Sequence, residues 1–333
     1  MRNGWWGLLI WLCWALPAMA QAERPIRIGI VEAAPAATLS ANVDAVLLDG
    51  ETTLARISAR TPVAFAWNNG ALEVALADGN RLAFKTPLRL RAATPAPENR
   101  LMVGTKPYRG DLEVRPGSGS LTVVNELPLE EYLYGVVPGE VIPSWHPEAL
   151  KAQAVAARTY AISRLGQFAS LGYDLKATVV SQVYGGVNLE KPSTNRAVDD
   201  TRGQILTYQG APIDALYSDC SGGYTEAAGD VWGRPVPYLQ SVPDFDQGSP
   251  RYTWTFTAAG GALPQAIAKL GASIGDLQDI IALERTFSGR VKRARLVGSQ
   301  GQVEVTGEKL RFAFGLRSTF FNVARQPDGS FLF

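Results

Sequence analysis

Apolar and polar positions change period along this chain. Between residues 26 and 91, short apolar runs (Ile26-Arg27-Ile28-Gly29-Ile30, Ala45-Val46-Leu47-Leu48, Ala71-Leu72-Glu73-Val74-Ala75-Leu76) are separated by turn signals such as Asn68-Asn69-Gly70 and Asp78-Gly79-Asn80. Short runs bounded by Asn-Gly and Asp-Gly predict strands and hairpins. Residues 92–99, Ala-Ala-Thr-Pro-Ala-Pro-Glu-Asn, are small and proline-bearing and predict a loop at a soft boundary. Strand alternation resumes over residues 108–114 and 121–124, on either side of the turn Pro116-Gly117-Ser118-Gly119. The period then becomes helical. Helices are predicted over residues 127–136 and, after an interruption holding Pro138, Gly139, Glu140 and Pro143, over residues 147–167. In the second of these Leu150, Ala154, Ala157, Ala161 and Leu165 share one face, Pro147 suits a first turn and Glu148 suits the helix start. After Gly172 short strands and Gly-rich turns return, with one more helical piece over residues 263–270. The pattern predicts an α+β fold that is strand-rich, with one prominent helix after Glu140 and an N-terminal β-rich extension.

Composition narrows the chemistry. The 333 residues are 46% hydrophobic and 19% charged, the profile of a folded globular chain. Thirty-two basic against 31 acidic residues leave a formal charge of +1, so no nucleic-acid partner is indicated. Residues 1–20 carry Arg2, an apolar run from Trp5 to Leu16, Pro17 and then Ala18-Met19-Ala20, which predicts a cleaved secretory signal. The run is shorter than the ~20 residues that span a bilayer, so no stable membrane insertion is expected after cleavage. The expected location is the periplasm, cell wall or extracellular space. Cys13 leaves with the signal and Cys220 is then alone, which excludes an intramolecular disulfide. A single Cys and the single His146 cannot supply a Cys/His zinc set. His146 is the one histidine base available, and before Pro147 at a helix start it reads as an exposed or capping residue.

No phosphate loop and no dinucleotide fingerprint is present, so the chemistry left to consider is that of carboxylates. Glu140 stands out because its neighbours Val136, Val137, Val141 and Ile142 are apolar, and an apolar setting desolvates the charged form of a carboxyl as a general acid requires. The same position also suits an ordinary loop carboxylate. Tyr132, Tyr134, Trp145 and Tyr160 offer rings either to a sugar face or to a core. A second constellation, residues 215–226 with Ser221-Gly222-Gly223 at its centre, predicts a strand running into a turn whose backbone N–H groups and hydroxyls suit a polar ligand, or a plain turn.

At these stretches the chain resembles the stage II sporulation protein D family, also called the amidase enhancer LytB group. The resemblance runs through residues 124–133 (Val-Asn-Glu-Leu-Pro-Leu-Glu-Glu-Tyr-Leu), 135–140 (Gly-Val-Val-Pro-Gly-Glu), 148–160 (Glu-Ala-Leu-Lys-Ala-Gln-Ala-Val-Ala-Ala-Arg-Thr-Tyr), 182–186 (Gln-Val-Tyr-Gly-Gly), 221–226 (Ser-Gly-Gly-Tyr-Thr-Glu) and 316–321 (Leu-Arg-Ser-Thr-Phe-Phe). It implies a peptidoglycan lytic transglycosylase whose catalytic acid is Glu140. By the same resemblance Gln182, Tyr184, Ser221, Gly222 and Gly223 would line the cleft. Some relatives bind zinc through a Cys directly before Gln-Val-Tyr and a nearby His and Cys; Ser181 stands there, so no metal and no cofactor is expected. The family pattern continues after residues 316–319 into a Gly-His-Gly and Ser-Gln motif that this sequence does not contain.

The expected organisation is a signal peptide over residues 1–20, a β-rich region over 21–100 and a SpoIID-like catalytic domain over 101–333 lacking that C-terminal motif. The expected partner is the peptidoglycan glycan strand. A competing expectation, from the enhancer name of the family, is a non-catalytic wall-binding protein that stimulates a cell-wall amidase. A general glycan-binding module is the third.

Overall fold

The computed structural model describes residues 25–76 and 79–333, so the expected signal at residues 1–20 lies outside the described residues. The chain divides into two compact units, the first running to Leu216 and the second comprising Tyr217–Phe333.

In the first unit the strands are β1 (Pro25–Ala34), β2 (Ala36–Ala41), β3 (Ala45–Asp49), β4 (Thr52–Ile57), β5 (Val63–Asn68), β6 (Ala71–Ala75), β7 (Arg81–Phe84), β8 (Leu88–Ala92), β9 (Leu101–Val103), β10 (Lys106–Tyr108), β11 (Asp111–Pro116), β12 (Leu121–Pro128) and β13 (Leu175–Lys176). Seven of them pair in the order β13-β1-β12-β11-β8-β3-β4 and six in the order β10-β9-β2-β5-β6-β7. The hairpin between β5 and β6 turns through Asn69 (φ 46°) and Gly70 (φ 85°), two positive φ values that an Asn-Gly pair adopts readily and that match strand twist. Strand β8, before the proline-bearing loop at residues 92–99, pairs with β11 after it, so the residues on the two sides of that loop share one sheet.

Period-two alternation sorts these strands. Leu121, Val123 and Leu127 of β12 and Leu88 and Leu90 of β8 point into one core with Leu39, Phe65, Leu72 and Val74 of the other sheet. The opposite face carries Arg27, Arg89, Glu113 and Glu126, whose side chains meet across strands at 2.6 Å (Arg27 to Glu113) and 2.8 Å (Arg89 to Glu126).

Three helices lie over this core: α1 (Leu129–Glu140), α2 (Pro147–Ser163) and α3 (Pro192–Asp200). α1 buries Leu129, Tyr132, Leu133, Val136 and Val137, the spacing of one helical face. It departs from the expected element at its end, because the helix runs through Pro138 and Glu140 is its last residue. Pro138 lacks the N–H that would bond the Tyr134 carbonyl, yet Val141 N donates to Val137 O at 3.1 Å and closes the following turn. α2 buries the expected Leu150, Ala154, Ala157 and Ala161, and His146 caps it, Nδ1 accepting from Glu148 N at 3.3 Å. α3 was not foreseen; it buries only Thr194, Ala197 and Val198. Arg158 of α2 is fully buried and donates to both carboxylate oxygens of buried Glu130 in α1 at 2.9 and 2.7 Å, and to the carbonyls of Val198 and Gln204 at 3.1 Å each. That bidentate pair ties α1, α2 and α3 together. A short hairpin, β14 (Thr207–Tyr208) and β15 (Ala211–Pro212), follows.

The second unit contains α4 (Ala228–Trp232), β16 (Thr257–Ala258), α5 (Leu263–Lys269), β17 (Leu277–Arg285), β18 (Val291–Gly298), β19 (Gly301–Thr306), α6 (Gly307–Phe314), β20 (Ala324–Arg325) and β21 (Phe331–Leu332). Strands β17-β18-β19 form an antiparallel meander, and β16-β21-β20 a smaller sheet. Leu296, Leu310, Phe314 and Phe331 belong to its own core. α5 is the helical piece expected at residues 263–270. α6 escaped the periodicity, although Thr306 caps it through Lys309 N at 3.2 Å and Gly315 ends it at φ 70°. Among the described residues no helix is long and apolar enough to cross a membrane. The protein is mixed α+β with strands in the majority.

Candidate active site

Glu140 is presented by the end of α1, and the loop carrying Gln182, Val183 and Tyr184 lies against that helix. Two glycines one turn apart permit the approach. A Cβ at Gly135 would stand 2.6 Å from the Tyr184 ring, and one at Gly139 would stand 3.1 Å from the Val183 carbonyl oxygen. The loop is fastened from below. Gln182 is fully buried, its Nε2 donating to the Ala157 carbonyl at 3.2 Å and its Oε1 accepting from the Tyr132 hydroxyl at 3.2 Å. Tyr184 is also buried; its hydroxyl donates to Asn125 Oδ1 at 2.7 Å and its ring centroid is 5.0 Å from that of Tyr132. Burial pushes the Tyr184 phenol well above its usual range, so it remains a neutral donor.

Between these two anchors Val183 N donates to Glu140 Oε1 at 2.8 Å. Glu140 is half-buried, and its Oε2 carries no hydrogen bond among the described residues. One oxygen of the carboxylate is therefore oriented and the other is available to a ligand. Tyr160 of α2 is the neighbouring aromatic. Burial raises its phenol pKa; the Arg164 charge opposes this, while the charges of Asp214 and Glu140 add to it. Arg164 itself is held by Asp214, Nε to Oδ1 at 3.0 Å and Nη2 to Oδ2 at 2.5 Å.

The structure thus brings Glu140, Gln182 and Tyr184 together, with the last two beneath the surface as supports for Val183. The residues that sequence reading missed here are Val183, which acts through its backbone, and the Arg164–Asp214 pair. Of the aromatic candidates, Tyr132 is core, Tyr134 donates to Asp199 Oδ1 at 2.6 Å, and Trp145 is exposed.

Ser221, Gly222 and Gly223 belong to the second unit. Their N–H groups converge, as expected of such a turn, but on an anion from the chain itself. Asp246 Oδ2 accepts from Ser221 N at 2.6 Å and Gly222 N at 2.8 Å, and Oδ1 accepts from Gly223 N at 2.9 Å. The Cys220 thiol donates to Oδ2 at 2.8 Å, and Ser221 Oγ donates to Asp244 Oδ2 at 2.5 Å. Burial opposes the charge on Asp246, but the thiol and the N–H groups of Gly222, Ser221 and Gly223 outweigh it and hold the carboxyl well below the usual carboxylate range. Burial and that same Asp246 push the Cys220 thiol up. Among the described residues no group of three or more His, Cys, Asp or Glu side chains is placed to hold a metal ion.

Comparison with known proteins agrees with the resemblance carried by the motifs. Residues 117–208, which hold Glu140, Arg158, Gln182 and Tyr184, match the family model described as SpoIID, stage II sporulation protein. The amidase enhancer of Bacillus subtilis is 46% identical over 125 residues, 38% of this chain and 16% of the relative. The stage II sporulation protein D of Bacillus amyloliquefaciens is 37% identical over 223 residues, 61% of this chain and 62% of the relative. That of Bacillus subtilis is 35% identical over 224 residues, 62% of this chain and 63% of the relative. The chain therefore spans less than two thirds of the length of each of these curated relatives. Residues 117–208 thus match the SpoIID family model, and the chain is similar to stage II sporulation protein D and amidase enhancer proteins.

Proposed function

We propose that this protein is exported to the bacterial cell wall and cleaves peptidoglycan glycan strands as a lytic transglycosylase, with Glu140 as acid and then base. The observation that carries the reading is the Glu140 carboxylate, oriented through Oε1 by Val183 N–H at 2.8 Å and open at Oε2. In the reaction, protonated Glu140 gives its proton to the oxygen linking MurNAc to GlcNAc as the bond from that oxygen to the MurNAc anomeric carbon breaks. The 6-hydroxyl of the same MurNAc attacks the anomeric carbon, Glu140 takes the hydroxyl proton, and a 1,6-anhydro ring closes. The acid is restored within the cycle. No water needs activation, so one carboxyl performs both transfers where hydrolases use two. Gln182 and Tyr184 serve by fixing the loop that holds Glu140.

The test is mass spectrometry of glycan strands after incubation with the wild type and with Glu140→Gln. Anhydro-ended fragments from the wild type alone are expected; a fully active variant overturns the assignment. A second reading, stimulation of a partner cell-wall amidase without catalysis, is favoured by the 46% identity to a protein named amidase enhancer. It requires that Glu140→Gln leave amidase stimulation intact.

A further inference from the structure

The second unit contains two adjoining cavities of about 490 and 270 Å³, both lined by Gly222, Tyr252, Trp254 and Phe320. Concave sites with aromatic walls and a few polar groups are the common form of a small-molecule site. Here the aromatic wall is set before any ligand arrives. Phe320 is wedged between two glycines, since a Cβ at Gly222 or at Gly289 would stand 2.9 Å from its ring. The Arg290 guanidinium sits 5.5 Å from the centre of that ring. Tyr252 and Trp254 are half-buried, and both line the two cavities.

Polar groups on this wall have spare capacity. Among the described residues, the Tyr252 hydroxyl, Trp254 Nε1, Asn322 Nδ2 and the Arg317 guanidinium have no hydrogen-bond partner. The Asn322 amide is oriented through its other end, Oδ1 accepting from Arg285 Nη2 at 3.1 Å. The remaining charges of the smaller cavity are satisfied: Asp219 pairs with Arg251 at 2.7 Å, and the nearby Asp246 is held by the Ser221–Gly223 turn. Arg317 is the charge left over.

We propose that this groove is a second glycan subsite, binding an acidic amino sugar with its ring on Tyr252, Trp254 and Phe320 and its carboxylate on Arg317. A pyranose offers an apolar C–H face to aromatic rings and acceptor oxygens to their N–H and O–H edges. A guanidinium takes a carboxylate through two parallel N–H bonds. The proposal rests on the cell-wall reading for the source of the sugar and not for the chemistry of the groove.

The test is titration of the Glu140→Gln chain, which leaves the probes uncut, with a peptide-free GlcNAc–MurNAc tetrasaccharide and with chitotetraose, which lacks the carboxylate. The acidic glycan is expected to bind about tenfold or more tighter. Arg317→Ala, an exposed position, should erase that difference and leave chitotetraose binding unchanged, and Trp254→Phe should weaken both probes. Equal affinity for the two probes, or an Arg317→Ala chain that keeps the preference, overturns the proposal, as does a folded Trp254→Phe chain that binds both at full strength. Groove binding in a wild type that makes no anhydro product would overturn the catalytic reading alone. Anhydro product from a chain that binds both probes equally would overturn the groove alone.

Discussion

Two carboxylates, one in each unit, show what hydrogen bonding does to an acid. Glu140 has one backbone N–H on one oxygen. Asp246 has three backbone N–H groups and a thiol divided over both oxygens. A carboxylate with donors on both oxygens, as Asp246 has, is held in its charged form and serves as structure. Glu140 is oriented without being saturated, the condition for a group that must pass a proton in both directions.

The sharpest way to break this comparison is to make the same chemical change at both positions. Glu140→Gln should lower anhydro-product formation by roughly 10²- to 10⁴-fold, the usual worth of a general acid–base, with no change in melting temperature. Next in size is the buried pair that positions the helices around the site. Arg158→Met takes the cation away from the Glu130 carboxyl where both side chains are at most 1% exposed, and should cost about 3–5 kcal/mol in denaturant unfolding. Restoring neutrality with Glu130→Gln in the same chain should recover part of that loss. Val183→Pro removes the N–H that orients Glu140, and a hydrogen bond to a charged group is worth about 1.5–3 kcal/mol, so turnover should fall by about 10- to 100-fold with folding retained. Smallest is Asp246→Asn, expected to cost about 1–2 kcal/mol in the second unit and nothing in the first.

The Asp246 case also has a pH signature. Its folded pKa is depressed below the unfolded value of about 3.9, so its contribution is complete above that value and is lost as pH falls below it toward the depressed folded value. The protection factors of the β17–β18 amides, with the pH-dependent intrinsic exchange rate divided out, should therefore fall below about pH 4 in the wild type, and Asp246→Asn should flatten that limb.

Much of this arrangement was legible because it is local. The α2 face of Leu150, Ala154, Ala157 and Ala161 declares itself by spacing, and the Asn69-Gly70 hairpin by the φ values its residues tolerate. The end of α1 was misread because Pro138 is a local breaker while the opposing influence, the packing of Gly135 and Gly139 on the Val183–Tyr184 loop, comes from more than 40 residues away. Asp246 gave no signal at all: it lies 25 residues beyond Ser221, and an Asp that fills a backbone turn looks like any loop Asp. Gln182 illustrates a different limit. Its place in a family motif draws the eye to a surface role, whereas its burial and its bonds to Ala157 and Tyr132 make it a brace for its loop.

The position of β1 bears on how the molecule is assembled. The first strand among the described residues is an interior strand, paired with β12 on one side and with β13 on the other, and Arg27 N donates to Asp174 across a separation of 147 residues. Closing so long a loop costs entropy before any contact repays it, which places completion of this sheet late in folding. A chain emerging N-terminus first must therefore keep Ile26 and Ile28 from sticking elsewhere until Leu175 has appeared. Holding agents that shield unpaired strands should matter more to the yield of this protein than its modest size suggests.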